Sequence, residues 1–199
     1  MKETGIDMQT STDFEAPLLE TIQNRRSRRA YLSTPIEKEK IQSLFEAARW
    51  APSSVNEQPW TYIYATKDQT ELWGKLFSTL DESNKTWTQH APLLILSLAR
   101  KTFLRNEQPN GSAKYDLGGA NAFLSLQATH LGLNVHQMGG YDRQKAKEYL
   151  NIPDTYELGV VMAIGYPGDP EMLPEHLKKR ELAPRLRLLQ EEFVMNKTF

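Results

Sequence analysis

Leu93-Leu94-Ile95-Leu96-Ser97-Leu98-Ala99 carries one polar side chain in seven residues. A short, continuously apolar run reads as a β-strand buried on both faces. Alternate side chains leave a strand on opposite sides, and here both sets are apolar. Such a strand needs helices on each side of its sheet. Glu157 to Ile164 reads as a second buried strand, closed by Gly165. Trp60 to Ala65 is aromatic and β-branched, and Asn134 to Met138 runs into Gly139-Gly140; both read as further strands.

The helices lie between these runs. Leu18, Leu19 and Ile22 form a short helix that ends in a basic knot, Arg25-Arg26-Ser27-Arg28-Arg29. Thr34 and Pro35 open a second, with Ile36, Ile41, Leu44, Phe45 and Ala48 at helical spacing, and Pro52 stops it. Glu71 to Leu80 is a third. Asp116 is placed to cap a helix running to about Leu131, with Gly132 where a left-handed C-cap is wanted. Arg143 to Leu150 is helical. Residues 100–115 are a long polar loop of the kind that covers a binding site. Pro167, Pro170 and Pro174 make 166–190 an extended arm with one helical turn at most.

This order predicts an α+β fold, a mixed β-sheet sandwiched by helices. It forms a single domain over 1–199, with a flexible start at 1–15 and an extended arm at 166–199. The arm has little to pack on within its own subunit, which argues for a dimer in which it wraps round a partner.

Composition narrows the chemistry. Twenty-four Lys and Arg against 25 Asp and Glu leave a net charge of −1, so nucleic acid is not an expected partner. There is no cysteine, which excludes disulfides, thiolate nucleophiles and cysteine-held metals. Pro92 to Ala99, the longest apolar run, is far short of a membrane span, and the first residues carry no secretory core; a cytoplasmic protein without membrane contact is expected. His90, His130, His136 and His176 have no metal spacing, and each reads as structural or exposed; no metal is expected. No Gly-x-Gly-x-x-Gly, P-loop or nucleophile elbow is present.

Four constellations could carry function. The Arg25–Arg29 knot crowds guanidiniums that an anion would relieve, and Ser27 adds a hydroxyl. Ala51 to Trp60 holds Ser53, Ser54, Asn56 and Gln58 between Pro52 and Pro59, a rigid polar loop able to read a heteroaromatic edge. Met138-Gly139-Gly140 follows a strand and lets backbone N–H groups approach a planar ligand. Arg185 and Arg187 put two guanidiniums on one face of an extended segment and could complete a phosphate site begun by the knot. Taken singly, each has a plainer reading: a solvated basic surface, a turn, a tight strand-to-helix connection, a solvated charge pair.

Taken together and in order, they resemble the nitroreductase family. Arg25 to Tyr31 resembles its Arg-Arg/His-Ser-x-Arg/Lys-x-Phe/Tyr opening, and Pro52 to Trp60 matches every fixed position of its Pro-Ser-Ser-x-Asn-x-Gln-Pro-Trp. Val135 to Asp142, continuing through Ile164 to Asp169, is similar to its later flavin loop and strand, and Pro184 to Val194 to its closing arginine motif. In that motif, Leu189 and Gln190 stand where the family has Pro-Leu.

The resemblance implies a nitroreductase-like homodimer with FMN at the subunit interface and NAD(P)H as transient electron donor. Arg25, Arg26, Ser27 and Arg29 would hold the phosphate and ring edge, joined by Arg185 and Arg187, with Arg28 pointing outward. Pro52, Ser53, Ser54, Asn56 and Gln58 would come from the partner subunit, and Met138, Gly139 and Gly140 would lie beside the ring. Ping-pong hydride transfer to nitroaromatics, quinones or related small electrophiles would follow, with no side chain acting as catalyst. Phe103, Tyr115, Trp87 and Trp73 are candidates for a stacking wall, with core packing the plainer role for Trp73. The alternatives are a specialised superfamily member (reductive dehalogenase, flavin-fragmenting enzyme or azoline oxidase), a non-enzymatic flavin-binding sensor or storage protein, and a basic nucleic-acid module, against which the net charge weighs.

Overall fold

The computed structural model describes residues 9–198. In chain order the strands are β1 (Thr10–Ser11), β2 (Trp60–Thr66), β3 (Leu93–Arg100), β4 (Asn134–Met138), β5 (Tyr156–Gly165) and β6 (Arg187–Leu188). The helices are α1 (Glu20–Asn24), α2 (Lys38–Arg49), α3 (Thr70–Ser78), α4 (Glu82–Thr88), α5 (Ala113–His130), α6 (Arg143–Tyr149) and α7 (Glu175–Leu182). Four strands form the central sheet in the order β2-β3-β5-β4, and each neighbouring pair is antiparallel, where a mixed sheet was expected.

The Leu93–Ala99 run is the buried centre of this sheet. Leu94, Leu96 and Leu98 face one layer, with Trp73, Leu76 and Trp87 of α3 and α4. Leu93 and Ile95 face the other, with Leu44 of α2 and Leu124 of α5. That alternation is why neither face of β3 could be polar. Ser97, the exception, sits at a β-bulge where the register shifts between Leu96 and Leu98. Its Oγ accepts from Val160 N at 3.0 Å and from Asn121 Nδ2 at 3.2 Å, so its burial costs little.

Several boundaries differ from the sequence reading. α2 begins at Lys38, not at Thr34-Pro35, because Glu37 with an extended backbone is the cap. Asp116 is not a cap; it is buried in the first turn of α5, which Ser112 precedes. Residues 82–88 are helix α4, and its Trp87, a candidate for the stacking wall, lies in the core.

The largest corrections concern the chain ends. The arm contains the eight-residue helix α7, and Leu173 and Leu177 pack into the same core layer as β3. It therefore has a seat within its own subunit. Thr10 and Ser11, read as part of a flexible start, pair antiparallel with Leu188 and Arg187; residues 1–8 of that start lie outside the described residues.

Gly159 lies opposite Ser97 at the bulge. A methyl group there would stand 2.5 Å from Ser97 Oγ and 2.9 Å from its carbonyl oxygen. Gly159→Ala is expected to destabilise by about 1–3 kcal/mol through overpacking. Gly74→Ala, where a methyl meets nothing within 4 Å, should stabilise α3 by roughly 0.5–1 kcal/mol. Chemical denaturation of both variants checks the pair; equal effects would contradict the close contact at the bulge.

Candidate functional site

The basic knot is laid down by the end of α1. Arg25 adopts an extended backbone there, and the chain runs on beside the end of β5. Leu32 N donates to Tyr166 O at 3.0 Å and Gly168 N to Ala30 O at 2.9 Å. Tyr31 is buried, donates to Ala163 O at 3.0 Å, and stacks on Trp87. This fixes the knot's exit. The arm fixes its other side. Arg26 Nη2 donates to Ala183 O at 2.6 Å, and Arg185 donates to Arg25 O at 2.7 Å and to Gln23 O. Glu181 of α7 accepts from Arg29 N and Ala30 N.

These contacts enclose a cleft of about 180 Å³. Arg25, Arg26 and Arg28 line it from the knot, and Arg180, Arg185 and Arg187 from the arm, with Ser27 and one carboxylate, Glu181. Burial pushes the Arg25 guanidinium below its usual range, followed by the charges of Arg187 and Arg26. Arg185 is lowered by burial and then by Arg26, Arg25 and Arg187. Cations crowded in this way are poised for an anion with several acceptor oxygens.

A second groove of about 410 Å³ shares Arg25 and Ser27 with the first. It runs between α1, α5 and β4, over Ile22, Ala122, Leu126 and Val135, with Ser125 and Gln137 as polar groups. Gln137 Nε2 donates to Ser125 Oγ at 3.0 Å. A charged pocket thus opens into a longer groove of mixed polarity. A larger cleft, about 650 Å³, lies between α2 and the edge of β2 near Phe45 and Tyr64. No arginine lines it, so charge points to the smaller site.

The loop before β2 is strained and braced. Val55, Asn56 and Gln58 have φ of 48°, 57° and 50°. A β-branched residue in this region costs about 1–3 kcal/mol and persists only where the surroundings impose it. Ser54 N donates to Asp116 Oδ2 at 3.2 Å, and Gln58 N to Ser53 Oγ at 3.0 Å. Glu57 accepts from Leu104 N at 2.7 Å and from Arg100, which together hold its carboxyl below the usual range. The braces leave Asn56 and Gln58 exposed, and Val55 is 65% exposed.

Of the expected residues, the structure brings together Arg25, Arg26, Ser27, Arg185 and Arg187. Arg28, expected to point outward, is half-buried and lines the cleft. The Arg29 guanidinium lies behind it, 3.9 Å from Glu181. Pro52, Ser53, Ser54, Asn56 and Gln58 line neither cleft within this chain, and neither do Met138, Gly139 and Gly140. Met138 is buried and Gly139 exposed; the space beside Gly140 is filled by Asp81. Among the proposed wall residues, Trp87 and Trp73 are core, Phe103 is half-buried, and Tyr115 is 86% exposed. Arg180 and Glu181 were missed because α7 was not foreseen; their only sequence signal is a charged pair near the arm's arginines.

A model of the Nitroreductase family matches residues 22–85 and 69–166. The chain belongs to the nitroreductase family. It is 28% identical over 155 residues to a protein of Archaeoglobus fulgidus named as a candidate NADH dehydrogenase/NAD(P)H nitroreductase, covering 76% of this chain and 86% of that protein. The fold superposes on a crystal structure of an oxidoreductase containing FMN with a TM-score of 0.89, at 33% identity over 94% of this chain and 95% of the other. A nitroreductase family protein from Clostridium difficile 630 aligns at 26% identity and a TM-score of 0.71, over 92% of this chain and all of that one. The family match ends at residue 166, so the arm that completes the arginine cleft lies beyond it.

In this nitroreductase His136 braces the backbone of the arginine knot. Its Nδ1 donates to Arg28 O at 3.0 Å, and its ring packs on Trp87. Burial, then the charge of Arg29, pushes its pKa from 6.5 down to about 4. Between those values the unfolded chain binds the proton and the folded chain does not, so acid destabilises the fold across that window. Wild type should lose up to about 3 kcal/mol more than His136→Gln between pH 6.5 and 4. Denaturation midpoints measured against pH check this; parallel curves would remove His136 from the account.

Proposed function

We propose that this nitroreductase works as a homodimer that carries electrons from NAD(P)H to small electrophiles, nitroaromatics and quinones among them. The observation that carries the reading is the continuity of the two clefts through Arg25 and Ser27. A monophosphate needs a compact cluster of guanidiniums, and the polyol and ring attached to it need an adjoining groove of mixed polarity. The residues present fit FMN in both respects, and the chain is an FMN-dependent oxidoreductase. When bound, FMN supplies the two-electron chemistry.

The chain's own residues bind and orient. Arg25, Arg26, Arg185 and Arg187 grip the phosphate, with the Ser27 hydroxyl beside them. Ser125 and Gln137 present polar groups along the groove, and Ile22, Leu126 and Val135 exclude water from it. The strained Ser53–Gln58 loop offers Asn56 and Gln58 outward, to the site of a second subunit. That assignment explains why its polar groups line neither cleft of their own chain.

A second copy is supported by unpartnered apolar surface. Leu19 at the cap of α1, Ile22 within it, Tyr115 and Phe123 of α5, and Leu182 and Leu186 of the arm are all exposed. A second copy would take such side chains out of water. Among the described residues no helix is long and apolar enough to cross a membrane.

The purified protein is expected to be yellow, to bleach with NAD(P)H, and to recover colour with a quinone or nitroaromatic. Arg25→Ala and Arg187→Ala should each weaken FMN binding about 10- to 100-fold, the loss of one or two charge-assisted hydrogen bonds. Flavin absorbance after dialysis and sedimentation of the holoprotein check the two halves of the reading. Full flavin occupancy in both variants would overturn the phosphate assignment, and a monomeric holoprotein would overturn the shared site.

A further inference from the structure

Glu181 is 4% exposed, although it sits among arginines. Its oxygens accept from Arg29 N at 3.1 and 3.0 Å and from Ala30 N at 3.4 Å, and one lies 3.9 Å from Arg29 Nη1. Its hydrogen bonds are thus spent on the knot's backbone, and none goes to the guanidiniums that line the cleft. The docked arm therefore faces two opposed tendencies. Glu181, the Arg26 contact to Ala183 O and the Arg185 contact to Arg25 O hold it down. Arg180, Arg185 and Arg187 bring like charge against Arg25, Arg26 and Arg28. An anion between the two sets turns that repulsion into attraction.

We propose that Glu181 is a positioning residue of the site: it seats α7 on the Arg29–Ala30 backbone, so that docking of the arm and occupancy of the cleft by a phosphate group are one coupled equilibrium. The natural ligand in this coupling rests on the FMN reading above; the coupling itself requires only a phosphate. Because coupling between two equilibria is reciprocal, the factor by which phosphate lowers the arm's opening equilibrium is the factor by which opening weakens phosphate binding.

Hydrogen exchange at the α7 amides reads this directly in the flavin-stripped full-length protein. Exchange is followed in chloride, in inorganic phosphate at matched ionic strength, and with FMN. Phosphate and FMN should each slow exchange in α7 by about tenfold or more, and Glu181→Gln should both speed that exchange and weaken FMN by a similar factor. Unchanged α7 exchange at saturating FMN overturns the coupling and leaves the flavin reading intact. Faster exchange in Glu181→Gln with unaltered FMN affinity also overturns it, since Glu181 would then be a support and nothing more. Protection by phosphate with no binding of FMN sustains the coupling and sinks the flavin reading. If Glu181→Gln does not fold, the wild-type comparison decides alone.

Discussion

Six guanidiniums from opposite ends of one chain share a cleft of about 180 Å³, and much of the molecule is organised around making that tolerable. Arginines cannot shed their charge by deprotonation at ordinary pH, so the structure spends neutral acceptors on them instead. The carbonyls of Gln23, Arg25 and Ala183 take three of the contacts. One buried carboxylate, Glu181, holds the backbone from which the knot projects. The cations converge and are left with unspent donors, the condition an anion site needs.

The sheet supplies the rigidity that this convergence demands. β3 is apolar on both faces, so helices cover both, and α5 and the arm are held on opposite sides of one packed layer. The groove that adjoins the arginine cleft forms where α1, α5 and β4 meet. The Ser53–Gln58 loop is strained, and Asp116 and Glu57 brace there a backbone that Val55 would not choose. The braces leave Asn56 and Gln58 exposed at its tip.

Much of this was legible in the residues. Continuous apolar runs are a strong signal, and β2, β3, β4 and β5 fall within about one residue of where the sequence placed them. The arginines at 25, 26, 185 and 187 could be paired in advance because two clusters of guanidiniums can complete one phosphate site. The arm was harder. Three prolines suggested extension, yet Pro174 precedes α7 as its cap, a position proline tolerates. With α7 unseen, Arg180 and Glu181 had no place in the site. Strand direction was equally hidden, because helical connections serve antiparallel neighbours as well as parallel ones. Arg28 and Arg29 are adjacent in an extended segment, and which of them faces the cleft depends on Glu181, 152 residues from Arg29.

The claim that bears the most weight is that this cleft recognises the phosphate and not the ring. It is tested most directly by titrating flavin-stripped protein with FMN and with riboflavin, which differ by that group alone, and following flavin fluorescence at low and high salt. Several charge-assisted hydrogen bonds should favour FMN by at least about 100-fold at low salt, with the advantage shrinking as salt screens the guanidiniums. Equal affinities for the two flavins, unmoved by salt, would contradict it.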